Sequence, residues 1–247
     1  MSKFGLYRTI NMFIPEGSFK NFLRKIILRK YPLIPRELMV NRGNTVVMVG
    51  TAKSIRIVRI SKSVGKNGKV VIIEPDTQNL ESHWECVRTN SLDNVKIVEK
   101  AAFSNKGKGV LLVAPKAADH KLVIEGIEHD NDYRSDQYYI SSVDVDVDTV
   151  DNIVRDAELE VIDYIEIAVN GGELAVLEGM GESLSRTNRI FVKGHARDKE
   201  TKRPIHERVI PILEGRGFLT HLTRPSRTIA RTIDWGPRAG DVYGWKR

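Results

Sequence analysis

Cysteine is nearly absent: Cys86 is the only one in 247 residues. That excludes a disulfide framework and a cysteine-cluster zinc site. No apolar run approaches the roughly 18 residues of a membrane-spanning helix. The first residues hold no apolar core ahead of a small-residue cleavage site, so no secretory leader is expected and a cytoplasmic protein is. Acidic residues are scarce at both ends. Residues 1–44 hold nine Lys/Arg against two Asp/Glu, and residues 186–247 hold fifteen against six. The middle, residues 45–185, reverses the balance with fifteen against twenty-four. The net charge of +7 therefore belongs to the ends. Basic ends suit an anionic partner, with RNA or a ribonucleoprotein ahead of a membrane surface; packing on the chain's own acidic middle, or simple solubility, fits them as well.

Glycine is sparse where a nucleotide-type turn would want it. Thr45–Val49 is a short β-branched run that stops at Gly50, and Lys69–Ile73 is a second run that ends at Glu74. Such runs suit buried parallel strands, which need a crossover between them. Ile55, Ile57, Val58 and Ile60 could alternate as a strand, but their place between two parallel strands predicts a helix. Glu74 follows Gly50 by 24 positions, the layout in which a carboxylate takes the ribose hydroxyls of a nucleotide cofactor. The turn Gly50-Thr51-Ala52-Lys53-Ser54 carries a single glycine, so a plain crossover that binds nothing fits these residues equally well.

Upstream, Ser18 can cap a helix to about Lys30, with an apolar stripe on Phe19, Phe22, Leu23, Ile26 and Ile27 and a basic opposite face. Downstream, residues 77–90 read as a helix with Leu80, Trp84 and Val87 inward, and residues 94–99 as a third strand. Val110–Val113 is a further strand, and residues 114–139 read as a polar excursion on the ligand side. Val143, Val145 and Val147 alternate with Asp144, Asp146 and Asp148, a half-buried strand. Those carboxylates lack the glycine and closing glutamate of a calcium loop, so no metal site is expected. Strands follow near Val161–Val169 and Arg189–Lys193, with a helix between them over Glu173–Leu184. A helix over Pro204–Gly215 and a strand over Gly217–Leu222 precede a tail that mixes arginine with aromatics.

Several of these segments together resemble the FkbM-type S-adenosylmethionine-dependent methyltransferases, from about Thr45 to Leu222. The carriers are VVMVG, VVIIEPD, the Arg88–Val95 approach to strand three, Ala101-Ala102-Phe103-Ser104, Asp148-Thr149-Val150-Asp151, IDYIEIAVNGGELAVLEGM and IFVKGH. The resemblance implies an α/β, Rossmann-like methyltransferase fold: a mostly parallel sheet of about seven strands with helices on both faces. The methyltransferase-like domain then spans 45–222, and the residues outside it read as a basic helical extension over 1–44 and a final strand with a basic, aromatic tail over 223–247. The resemblance also implies S-adenosylmethionine held by Gly50, Thr51, Glu74, Asp76 and Ala102, methyl transfer to an oxygen, and Glu173 and His195 flanking the acceptor.

The departures point the other way. Met48 stands where the family has Asp, Ser54 replaces a turn glycine, and Lys53 sets a cation beside a site for a cationic donor. Glu166, Ala168 and Asn170 stand at the usual Lys, Asp and Glu. Scaffold residues are kept while polar site residues change. The expectation is therefore either a methyltransferase with a weakened donor site, or an inactive methyltransferase fold that binds RNA or a larger complex through its basic ends.

Overall fold

The computed structural model describes residues 40–51, 53–116, 119–125, 138–194, 203–223 and 240–246. The expected helix over Ser18–Lys30 and the segment holding His195 lie outside them. A seven-stranded sheet runs in the order β10 (Leu219–Thr223), β11 (Asp241–Trp245), β9 (Arg189–Val192), β8 (Tyr164–Ile167), β1 (Thr45–Val49), β2 (Lys69–Ile73), β3 (Val95–Val98). The five strands from β9 to β3 are mutually parallel. β11 is antiparallel to both of its neighbours, so the chain's last strand is laid between β9 and β10.

Parallel strands buried on both faces need apolar residues at every position. β1 shows why its run is continuous. Val46 and Met48 pack toward α1 (Ser54–Val64) and α2 (Thr77–Thr89), while Val47 and Val49 join the core formed with α3 (Val150–Asp156), α4 (Glu173–Glu178) and α5 (His206–Gly215). The ambiguous stretch after Gly50 is helical, because its buried residues Ile57, Val58, Ser61 and Val64 recur at helical spacing. In α2 the inward residues are Asn79, Leu80 and His83, not Trp84, which is 39% exposed and donates its indole N–H to Glu99. Register decides this: His83, three after Leu80, takes the inner position that Trp84 would need. α4 is half the length expected; it stops at Gly179, and a run of turns carries Met180 and Leu184 into the core.

The strands expected between 101 and 148 do not extend the main sheet. β4 (Ala101–Ala102), β5 (Gly107–Val113), β6 (Lys121–Val123) and β7 (Ser141–Asp148) form a second sheet in the order β4-β7-β5-β6. Its apolar face carries Ala101, Phe103, Leu111, Val145 and Val147. Asp144 and Asp146 stay outside, Asp146 paired with Lys108, but the alternation fails at both ends: Val143 is exposed, and Asp148 is buried against Lys100. Among the described residues no group of three His, Cys, Asp or Glu converges on a metal position, and no helix is long and apolar enough to cross a membrane.

Backbone meets backbone where the segment following α4 touches the second sheet. A Cβ at Gly179 would stand 2.1 Å from the carbonyl oxygen of Phe103. That oxygen is backbone and cannot swing aside. Gly179→Ala is expected to destabilise the fold by about 1–3 kcal/mol, the usual cost of overpacking. Urea denaturation with an unchanged midpoint would overturn this contact.

Candidate ligand-binding site

The carboxyl ends of β1 and β2 open into a cavity of about 100 Å³. Val49, Gly50 and Thr51 form one wall and Ile73, Glu74 and Pro75 the next. Ala101, Ala102 and Phe103 follow from β4, Leu111, His120 and Leu122 from the second sheet, and Ala168 to Asn170 with Gly172 from the loop after β8. Sites at strand carboxyl ends are the rule in open α/β sheets.

Gly50 is required here on two counts. Its φ is +74°, and a Cβ would lie 2.7 Å from the carbonyl oxygen of Ala168. The turn that follows is pinned by buried side chains. Glu74 Oε2 accepts from the Thr51 N–H at 3.1 Å, and His83 Nε2 donates to the Thr51 carbonyl at 2.7 Å. His83 Nδ1 is in turn 2.8 Å from the Ser54 hydroxyl. The other Glu74 oxygen accepts from the Asp76 N–H at 3.2 Å and from Asn79 Nδ2 at 3.4 Å. Burial pushes the Glu74 carboxyl up to about 7, against the pull of these three donors. Burial likewise lowers His83 below the usual imidazole range. Thr51 Oγ1 is buried at the cavity without a hydrogen-bond partner among the described residues.

Of the residues singled out in the sequence, Gly50, Thr51, Glu74 and Ala102 line this cavity together. Asp76 stands one layer behind, its carboxylate accepting from the Gln78 and Asn79 N–H groups at the start of α2. Glu173 is fully buried at the start of α4 and does not line the cavity; His195 lies outside the described residues. Sequence reasoning missed Asn79 and His120. Asn79 had a faint signal, three positions past the capping Asp76. His120 sits in an aperiodic segment with no signal at all.

The departures fall in two places. Met48 and Glu166 are register partners on β1 and β8, and neither lines the cavity. Met48 lies in the core toward α1, and buried Glu166 forms an ion pair with Arg56 of that helix. Lys193, partly buried at the end of β9, is lowered to about 8 by burial, against the attraction of Asp241 and Glu166. Ala168 and Asn170 do line the cavity, and Asn170 Nδ2 donates to the His120 carbonyl at 2.8 Å. Lys53 is exposed and is not among the residues lining the cavity.

Among solved structures, the chain is similar to methyltransferase FkbM from Methylobacillus flagellatus KT. The TM-score is 0.53 at 14% identity, over 98% of this chain and 59% of that one, so the chain spans little more than half of that protein's length. It is also similar to Aeropyrum pernix fibrillarin with natively bound S-adenosyl-L-methionine, with a TM-score of 0.49 at 12% identity over 90% of this chain and 74% of that one. Identities this low speak to fold alone, which is Rossmann-like. No curated protein matches the chain. The methyltransferase FkbM domain matches residues 49–220, a span that includes every segment lining the cavity. The chain belongs to the FkbM methyltransferase domain family.

Proposed function

We propose that the protein binds S-adenosylmethionine in this cavity and acts as a methyltransferase of its family, with an oxygen as the methyl acceptor. The observation that carries this reading is the buried Glu74 carboxyl in the cavity wall, linked directly to the Gly50-Thr51 turn. The residues fit the ligand. Gly50 presents bare backbone, Thr51 offers an unused buried hydroxyl, and the remaining lining is apolar enough to cover an adenosyl group. Glu74 would hold the ribose hydroxyls, Thr51 and Gly50 the methionine end, and Ala102 would pack on the ligand. When bound, S-adenosylmethionine supplies an electrophilic methyl group. His195 is kept as the acceptor-side residue of this reading, and Glu173, buried outside the cavity lining, is not. Of the altered residues, Met48 and Glu166 lie away from the cavity, while Ala168 and Asn170 stand in its wall.

Calorimetric titration tests this. The expected result is micromolar binding of S-adenosylmethionine and of its demethylated product, weakened at least tenfold by Glu74→Ala. No binding at millimolar ligand would overturn the reading.

The raised Glu74 pKa has a signature in stability. The folded state holds this proton up to about 7, the unfolded chain only to the ordinary 4.5. The group's contribution is therefore full below pH 4.5 and is lost as pH rises through 7. His83, with a lowered pKa, contributes oppositely: its part is full above 6.5 and falls away below that. Glu74→Gln removes only the first. Its stability relative to wild type is expected to rise by up to about 3 kcal/mol between pH 4.5 and 7.5. Parallel stability curves for the two proteins would contradict the burial of this carboxyl.

A second observation favours an anionic macromolecular partner, for which we propose RNA. From Val40 to Ile73 the chain carries seven Lys/Arg and no Asp/Glu. Arg59 and Lys62 of α1, with Lys66 just beyond it, are exposed along one strip beginning at Ile55. Fluorescence anisotropy with single-stranded RNA is expected to show binding that weakens steeply with salt, and further with the triple reversal of Arg59, Lys62 and Lys66 to Glu. A salt-independent signal, or one untouched by the reversal, would remove α1 from the interface.

A further inference from the structure

His120 comes from the β5–β6 connection, distant in sequence from every turn that builds the nucleotide end of the cavity. It is 8% exposed, lines the cavity, and is held by two hydrogen bonds beside one close approach to a carboxylate. The Ala114 N–H donates to Nδ1 at 3.0 Å, the Asn170 amide donates to the His120 carbonyl at 2.8 Å, and Nε2 stands 3.3 Å from Asp76 Oδ2. The first contact decides the tautomer. A ring nitrogen that accepts a backbone N–H carries no proton, so the neutral imidazole bears its hydrogen on Nε2. That hydrogen has Asp76 nearby for electrostatic company, yet the alignment is wrong for a hydrogen bond, and Nε2 has no hydrogen-bond partner among the described residues. The two oxygens of Asp76 already accept from the first N–H groups of α2.

A buried donor left unmatched destabilises the fold. The structure keeps this one in place with a backbone N–H on one side and an asparagine side chain on the other. Thr51 Oγ1 is the other buried, unmatched polar atom in the same lining, and Glu74 is the buried acceptor there. A donor and an acceptor in one small apolar cavity match a hydroxyl group, which needs one of each.

We propose that His120 is a ligand-binding residue of this cavity, donating from Nε2 to a sugar hydroxyl oxygen of the adenosyl ligand, and that Asn170 is the positioning residue that holds it there. This rests on the donor-site reading above. Asn170 serves because its amide can donate to a carbonyl, which a carboxylate cannot. Loop and second sheet are thereby tied together across the opening, and the residue that ties them decides how well the imidazole is aimed.

The test uses S-adenosylhomocysteine, which binds without turnover, and the full chain. His120→Ala is expected to weaken binding about tenfold, the loss of one buried hydrogen bond. His120→Gln, which restores an N–H donor, should recover part of it, and Asn170→Ala should fall between. Against an S-adenosylhomocysteine analogue lacking a ribose hydroxyl, wild type and His120→Ala should differ less. In the wild-type protein, the His120 Nε2 nitrogen resonance should move on saturation, a readout that needs no variant to fold. Wild type that fails to bind S-adenosylhomocysteine overturns the donor-site reading and this inference with it. Wild type that binds, with an unmoved His120 resonance or a His120→Ala variant of equal affinity, overturns this inference alone.

Discussion

The backbone N–H and carbonyl of Thr51 are both held by buried side chains, and the site depends on them. Its N–H goes to Glu74 at the end of β2 and its carbonyl to His83 in α2. Neither partner is available to water, so neither bond can be exchanged for a solvent one without leaving a buried group unmatched. The turn after β1 is thus fixed to the strand and helix that follow it. This explains how a turn with a single glycine keeps its shape. Gly50 supplies the positive φ and the close approach to Ala168, which no other residue type could.

A second constraint comes from the small sheet. β4 leaves the end of β3 and pairs with β7, and that places Ala102, Phe103, Leu111 and Leu122 around the cavity. The connection through His120 is bound to the loop after β8 by Asn170. Two parts of the chain fifty positions apart therefore close over the same space. Gly179 permits the approach, since any side chain there would strike the Phe103 carbonyl.

The altered family positions acquire different meanings once placed. Met48 and Glu166 face α1, where Arg56 neutralises the one buried charge. A buried carboxylate without its cation would cost several kcal/mol, so Arg56 and Glu166 belong together as a unit of the core. Ala168 and Asn170 are changes within the cavity wall. Ala168 gives apolar surface, and Asn170 gives a donor where a carboxylate would have none. Read in a line of sequence, the four substitutions look alike; in space, two concern the packing of a helix and two concern the site.

The features legible in the bare chain were local. The β-branched runs of β1 and β2, the glycine between them and the acid 24 positions later are short-range regularities, visible because strand burial and turn geometry act on neighbouring residues. The family motifs over residues 49–220 are of the same kind. The tertiary structure decided what depends on long separations. It split the strands from Ala101 to Asp148 into their own sheet, set β11 between β9 and β10, turned His83 inward in place of Trp84, and brought His120 to the cavity. Each of these follows from which surfaces meet after the chain has closed loops of tens of residues. No local propensity encodes that, because the energy lies in the contact and not in either segment.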